Sequence, residues 1–297
     1  MKKPIVSVIV ATYRREKRLR FALESLRKQR CSFFEIIVVD DNDDRKWNKK
    51  VQLIVDDFKR KSEIEIYLLV NHPNKGSAEA RNCGIRIARG DYITFLDDDD
   101  IYLPYKILYQ YEKMKKQNAD YSISNLLLYS EKGKLVEKRN RHYLLGDEAK
   151  NLLVCHMKYH MTAPDTMMFK REYLLKIGMF EPINVGDDYY LMMKAINSGG
   201  KFVYINRSDV KAIVHTQEAG LSNGQSKIEG EKALFEFKRN FFSLLSRSDR
   251  HFVEMRHHAV LAFAYLRMNK IALFIFESLG AFLQDPKGFL NLLINFK

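Results

Sequence analysis

Residues 92–100 run Tyr92-Ile93-Thr94-Phe95-Leu96-Asp97-Asp98-Asp99-Asp100. An apolar, β-prone run delivers the backbone to an edge, and an unbroken row of carboxylates follows. Adjacent like charges repel, and a fold has no structural use for so many of them. A hard divalent cation with oxygen ligands relieves that repulsion best. A solvated acidic loop would carry the same letters. The place at the end of an apolar strand favours a ligand, because open α/β sheets bind ligands beyond their strand ends.

Upstream, the same pattern repeats. Ile5–Ala11 (IVSVIVA) is a β-branched run of the kind buried on both faces of a sheet. Thr12-Tyr13-Arg14-Arg15 leaves it, and Glu16–Lys28 places Leu19, Ala22, Leu23 and Leu26 at helical spacing. Glu35–Asp40 predicts a second buried strand, ending in Asp40-Asp41-Asn42-Asp43-Asp44. Trp47–Phe58 predicts a helix and Ile64–Val70 a third strand. Ser77–Ala88 predicts a helix with Ser77 as its N-cap, stopped by Gly90 before the strand at Tyr92–Leu96. This β-α-β-α-β-α-β series implies an α/β fold: a mostly parallel sheet, right-handed crossovers, helices on both faces. Both acidic clusters then fall at its carboxyl edge. No G-x-G-x-x-G follows the first strand, which disfavours the common dinucleotide fold.

Downstream, Pro104 can open a helix to about Gln117. Tyr121–Tyr129 alternates like one strand, Lys132–Arg141 reads as a hairpin or exposed loop, and Asp147–Val154 as a short helix. Thr166–Phe169 predicts a strand and Arg171–Ile177 a helix ended by Gly178. Asp187–Asn197 predicts a helix opened by a carboxylate pair, which the helix dipole favours there. Two further strands follow, at Lys201–Ile205 and Lys211–Val214, with His215 behind the second. From Lys227 the chain turns helical, and Leu234, Phe237, Phe241, Leu244 and Leu245 share one face. Val260–Leu283 is apolar but interrupted by Arg267, Asn269, Lys270 and Glu277, short of the roughly 18 residues of a spanning helix. The expected organisation is a catalytic domain over residues 1–225, with halves 1–100 and 101–225, and a helical subdomain over 226–297. That subdomain packs on the catalytic domain, forms a homodimer, or lays a basic, aromatic-bearing face on an anionic membrane.

The bulk numbers narrow the class. A chain of 297 residues that is 46% hydrophobic can bury a sizeable core. Cys31, Cys83 and Cys155 are scattered and odd in number, which argues against both a disulfide framework and a metal spacing. The N-terminus has no signal-peptide pattern, so a cytosolic enzyme is expected, one able to sit on the inner face of the membrane. The net charge of +13 suits phosphate-bearing partners or an anionic surface. No nucleic-acid module is readable, so nucleic acid is not an expected partner.

Four motifs in order, VSVIVATYRRE, EIIVVDDNDD, NKGSAEARNCGI and GDYITFLDDDDIYLP, resemble the nucleotide-sugar-binding half of family 2 glycosyltransferases, whose fold is called GT-A. The resemblance continues more weakly to about His215. It implies transfer of a sugar, with inversion, from a nucleotide diphosphate donor, commonly UDP-linked, to a hydroxyl of a glycan or lipid-linked glycan acceptor in cell-surface polysaccharide synthesis. Carried over position by position, Thr12, Tyr13 and Arg15 leave the first strand beside the nucleotide. Asp41 accepts from a uracil ring. Arg81 approaches the donor phosphates, where its planar fork meets oxygens in pairs. Asp97 and Asp99 are the outer positions of an Asp-x-Asp motif, with Asp98 able to share the task. The last position binds Mn²⁺ or Mg²⁺, which stabilises charge on the leaving diphosphate. Asp187 and Asp188 match a Glu-Asp pair whose second member is usually the general base; with Asp in place of Glu at the first position either can act, and Asp188 is favoured. His215, with Ser222, resembles a segment that closes over the diphosphate and completes the metal shell.

Two other classes remain open on the residues alone. A nucleotidyltransferase would need a glycine- and lysine-rich loop after the first strand, which is absent. A basic protein binding nucleic acid or membrane by charge would leave both acidic clusters unexplained.

Overall fold

Residues 3–144, 146, 148–183, 185–214 and 224–295 are described in the computed structural model of the chain. The elements run β1 (Val6–Thr12), α1 (Glu16–Arg27), β2 (Phe34–Asp40), α2 (Arg45–Lys61), β3 (Ile66–Val70), α3 (Ser77–Ile87), β4 (Tyr92–Phe95), β5 (Ile101–Tyr102) and α4 (Lys106–Gln117). They continue with β6 (Tyr121–Ser124), β7 (Leu126–Ser130), β8 (Leu135–Arg139), α5 (Ala149–Tyr159), β9 (Met167–Lys170), α6 (Arg171–Lys176), α7 (Asp187–Asn197), β10 (Phe202–Ile205) and β11 (Val210–Val214). Four helices end the chain: α8 (Gly224–Arg239), α9 (Arg247–Arg267), α10 (Ile271–Gln284) and α11 (Pro286–Asn295).

The described chain divides into two compact units. The first holds Met1–Ala149, Thr162–Pro182 and Asp187–His215; the second holds Lys150–Met161, Ile183–Gly186 and Thr216–Lys297. Helix α5, which the sequence reading places in the acceptor half, therefore lies mainly in the second unit.

In the first unit a seven-stranded sheet has the order β10-β6-β9-β4-β1-β2-β3. The β4-β1-β2-β3 stretch is parallel, with Thr12 opposite Asp40 and Ile9 opposite Phe95. β9 runs antiparallel between β4 and β6. Continuous apolar runs suit β1 and β2 because both faces are covered; nearly every residue of the two strands is buried. A second sheet has the order β5-β11-β7-β8. The predicted single strand Tyr121–Tyr129 is in fact two strands in two sheets. The chain changes sheet at buried Asn125, whose Oδ1 accepts from Tyr204 Oη at 2.5 Å and whose N–H donates to the Arg207 carbonyl at 2.9 Å.

Helix α3 sits close on the sheet because Gly84 faces Ile9. A Cβ built there would lie 2.7 Å from Ile9 Cγ2. Ser77 is not its cap; Gly76 holds that position at φ 80°, a conformation glycine adopts without strain.

The second unit packs α8, α10 and α11 on α9. The helical face expected over Leu234–Leu245 is broken, because α8 ends at Arg239 and Phe242–Leu244 forms a separate 3-10 turn with Leu244 exposed. Among the described residues no helix is long and apolar enough to cross a membrane.

Candidate active site at the carboxyl edge of the sheet

The parallel strands β1, β2 and β4 bring Thr12, Asp40–Asn42 and Asp97–Asp100 to one edge. Asp41 N–H donates to the Thr12 carbonyl at 3.0 Å, and Thr12 Oγ1 donates to Asp98 Oδ2 at 2.6 Å. Arg15 Nη1 then bridges Asp98 Oδ1 at 3.2 Å and Asp99 Oδ2 at 2.7 Å, with Arg18 at 3.7 Å from the same Asp99 oxygen. Burial pushes the Asp98 carboxyl up to about 7, against the pull of Arg15. Tyr13 is 42% exposed, its ring 5.0 Å from the Arg14 guanidinium carbon.

The first acidic cluster is spent largely on its own loop. Asp40 accepts from Asn42 N–H at 3.0 Å and Asn48 Nδ2 at 2.9 Å, and Asp44 caps α2 by accepting from Lys46 N–H at 2.7 Å. Asp41 is buried and holds the 71–76 turn. Its oxygens accept from Asn71 Nδ2 at 2.8 Å, Lys75 N–H at 3.0 Å and Gly76 N–H at 2.9 Å.

Arg81 joins distant parts of the chain. It is buried on α3, with Nη2 donating to Asp97 Oδ1 at 2.7 Å and Nη1 to Asp187 Oδ2 at 2.6 Å. Burial alone would depress its pKa; Asp97 and Asp187 more than offset that. Asn82, one residue on, exchanges hydrogen bonds with the Phe180 backbone at 2.9 and 3.0 Å, tying the approach to α7 onto α3. Burial pushes the Asp187 carboxyl up to about 6, opposed by Arg81. Asp188 N–H donates to Asp187 Oδ1 at 2.9 Å, and the Asp188 side chain is buried at the start of α7. His215 and Ser222 lie outside the described residues.

One participant has no signal in the sequence reading. Asp165, in the Pro164–Thr166 turn before β9, is buried, and its Oδ1 accepts the Asp97 N–H at 2.6 Å. Its carboxyl hydrogen-bonds that of Asp100, whose Oδ1 also accepts from Ile213 N–H at 3.1 Å. Burial beside these carboxylates holds both groups up, Asp165 to about 8. One proton between them is what a dry carboxyl pair requires. A lone Asp after Pro, just before an apolar strand, was the only clue available.

Single carboxylate oxygens of Asp97, Asp100 and Asp165 lie within 4.8 Å of one another. All are hard oxygen donors and suit Mg²⁺ or Mn²⁺ better than a soft ion. Asp100 and Asp165 are already engaged by backbone amides and by each other, so the pair fits a clamp on the acidic loop. Asp99 stands apart from that group, paired with Arg15 at 2.7 Å.

A mostly parallel sheet that gathers Thr12, Arg15, Arg81 and the Asp97–Asp100 carboxylates at its strand ends has the architecture of the GT-A class. The profile described as Glycosyl transferase family 2 matches residues 7–178, and the chain belongs to that family. It is 31% identical over 224 residues, 75% of both chains, to an uncharacterized glycosyltransferase of Methanocaldococcus jannaschii. It is 29% identical over 212 residues to WfaP of Escherichia coli, a UDP-Glc:alpha-D-GlcNAc-diphosphoundecaprenol beta-1,3-glucosyltransferase, covering 71% of this chain and 78% of WfaP. Among solved structures, the mannosyltransferase PcManGT of Pyrobaculum calidifontis, in complex with GDP-Man and Mn²⁺, shares the fold with a TM-score of 0.63 at 18% identity, over 99% of this chain and 84% of that one. Residues 1–349 of S. aureus TarS with UDP-GlcNAc do so with a TM-score of 0.61 at 17% identity, over 95% and 92%.

Proposed function

We propose that this glycosyltransferase moves a hexose from a UDP-linked donor to a hydroxyl of a lipid-linked glycan, with inversion, during cell-surface polysaccharide assembly. The observation that carries the reading is the Arg81 fork. One buried cation, positioned by α3, touches both the acidic loop after β4 and the acidic pair that opens α7. A donor diphosphate meeting that cation would compete with Asp97 and Asp187 for its N–H groups. The activity named for the Escherichia coli relative supports the donor and the acceptor class.

In this reading Tyr13 offers an exposed aromatic face to the base, and Asp41 orients the base while holding its own turn. Thr12 and Asp98 sit beside the ribose. Arg15 leaves Asp99 for a donor phosphate. A divalent cation, Mn²⁺ or Mg²⁺, held by Asp99 and His215, would when bound neutralise charge on the departing UDP. Asp188 takes the proton from the acceptor hydroxyl as its oxygen attacks the anomeric carbon from the face opposite UDP. Asp187, fixed by Arg81, keeps Asp188 in place through the 2.9 Å hydrogen bond from its amide.

A thermal-shift panel of UDP-glucose, UDP-GlcNAc, GDP-mannose and dTDP-glucose, with and without Mn²⁺, tests this. Ligand at about 100 times its Kd adds about 2.7 kcal/mol by mass action. A response to a UDP-sugar that grows with Mn²⁺ is expected; indifference to every UDP-sugar would overturn the donor assignment.

A further inference from the structure

Helix α10 is built with its polarity reversed. A surface helix normally turns charge outward and apolar side chains inward. Here Ile275, Phe276, Leu279, Phe282 and Leu283 form one exposed stripe at helical spacing, Phe276 68% and Leu283 79% exposed. The helix's one carboxylate, Glu277, is buried and accepts from or shares a proton with His258 Nδ1 of α9 at 2.7 Å. Helix α11 extends the pattern with exposed Leu290, Leu293 and Ile294. Contiguous apolar surface of this kind marks an interaction face.

The charges around the stripe say what covers it. Arg267 and Lys270 precede α10 and Lys287 opens α11, all exposed. Between residues 266 and 294 neither carboxylate is exposed: Glu277 is buried, and Asp285 is partly buried and accepts from Gly288 N–H at 2.9 Å. Apolar side chains bordered by cations, on helices too short and too interrupted to span, are the pattern of a helix lying in the interfacial layer. Two copies joined through this face would gather their cations with no exposed carboxylate to meet them.

We propose that the exposed face of α10 and α11 seats in the headgroup layer of an anionic lipid bilayer. The inference rests on the lipid-linked-acceptor reading for one support, since such an acceptor lies in a membrane. Phe276, Leu279 and Leu283 enter the acyl boundary, and Arg267, Lys270 and Lys287 meet anionic headgroups.

The test is co-sedimentation of the full chain with vesicles of phosphatidylcholine alone or mixed with phosphatidylglycerol. Preferential binding to the anionic vesicles is expected, falling as salt rises. The double variant Phe276→Glu, Leu283→Glu should lose more than roughly tenfold in partitioning. Lys270→Gln and Lys287→Gln should each lose roughly fivefold. A Phe276→Trp variant, read against the Trp47 background, should show blue-shifted emission with anionic vesicles, independently of any loss-of-binding variant. Unchanged partitioning of the double variant, or no binding of the unaltered chain, would overturn the proposal. A dimer abolished by the same double substitution, with no vesicle binding, would assign the face to a second copy instead. The thermal response to UDP-sugar, measured on the same proteins, separates the two readings: vesicle binding stands or falls without it.

Discussion

Arg81 Nη1 donates to Asp187 Oδ2 at 2.6 Å across 106 residues of sequence, while its other terminal nitrogen reaches Asp97. A fork is needed, because two carboxylates on different elements must be met at once. The strand ends and the start of α7 thus share one cation.

Removing that cation leaves two carboxylates facing each other, one of them buried. Arg81→Met should lower unfolding free energy by about 3–5 kcal/mol, read as a fall in the urea midpoint at unchanged m-value. Arg81→Lys should recover only part, because an ammonium is a point donor on a flexible stem. Equal stability of all forms would refute the bridging role.

Asp99 and Asp188 should separate by the step they affect. Asp99→Asn should abolish the Mn²⁺-dependent part of the donor thermal shift. Asp188→Asn should keep donor binding and lose about 10²- to 10⁴-fold in transfer rate. Normal transfer by Asp188→Asn would remove it from the role of base.

Asp165 gives a pH signature. Its carboxyl is raised to about 8 in the folded protein by burial, against an ordinary value near 4. A raised acid contributes stability fully present below its unfolded pKa and lost as pH rises through the folded one. The native protein should therefore lose stability between pH ~4 and ~8, by up to about 1.4 kcal/mol per pH unit from this group. Asp165→Asn keeps a donor for Asp100 and an acceptor for Asp97 but cannot ionise. The difference between the two proteins in denaturation midpoint should narrow as pH rises across that window; a difference constant with pH would show that Asp165 is ionised throughout.

Gly84 sets how closely α3 approaches β1. Gly84→Ala places a methyl 2.7 Å from Ile9 Cγ2. It should cost about 1–3 kcal/mol by overpacking and also weaken donor binding, because Arg81 rides on the same helix. Loss of stability with an unchanged donor response would mean that the helix re-seats without disturbing the fork.

The order of strands and helices through β4 was legible because each element carries its own period. β1 and β2 are unbroken apolar runs, and α1 repeats Leu19, Leu23 and Leu26 at helical spacing. A buried parallel strand cannot tolerate polar letters, so its sequence announces it. The break at Asn125 was not legible, because both flanking strands are β-prone and only contacts with Tyr204 and Arg207 turn the chain aside.

Local periodicity and the parallel connection rule are enough to put Thr12, Asp41 and the Asp97–Asp100 row at strand ends. How their charges are partnered came from the folded chain. It set Asp41 to holding a turn, drew Asp165 against Asp100, placed Arg81 between Asp97 and Asp187, and turned Phe276 outward and Glu277 inward. A side chain's local spacing says which way it can point, but the groups it meets come from remote segments, and those meetings govern its charge and its exposure.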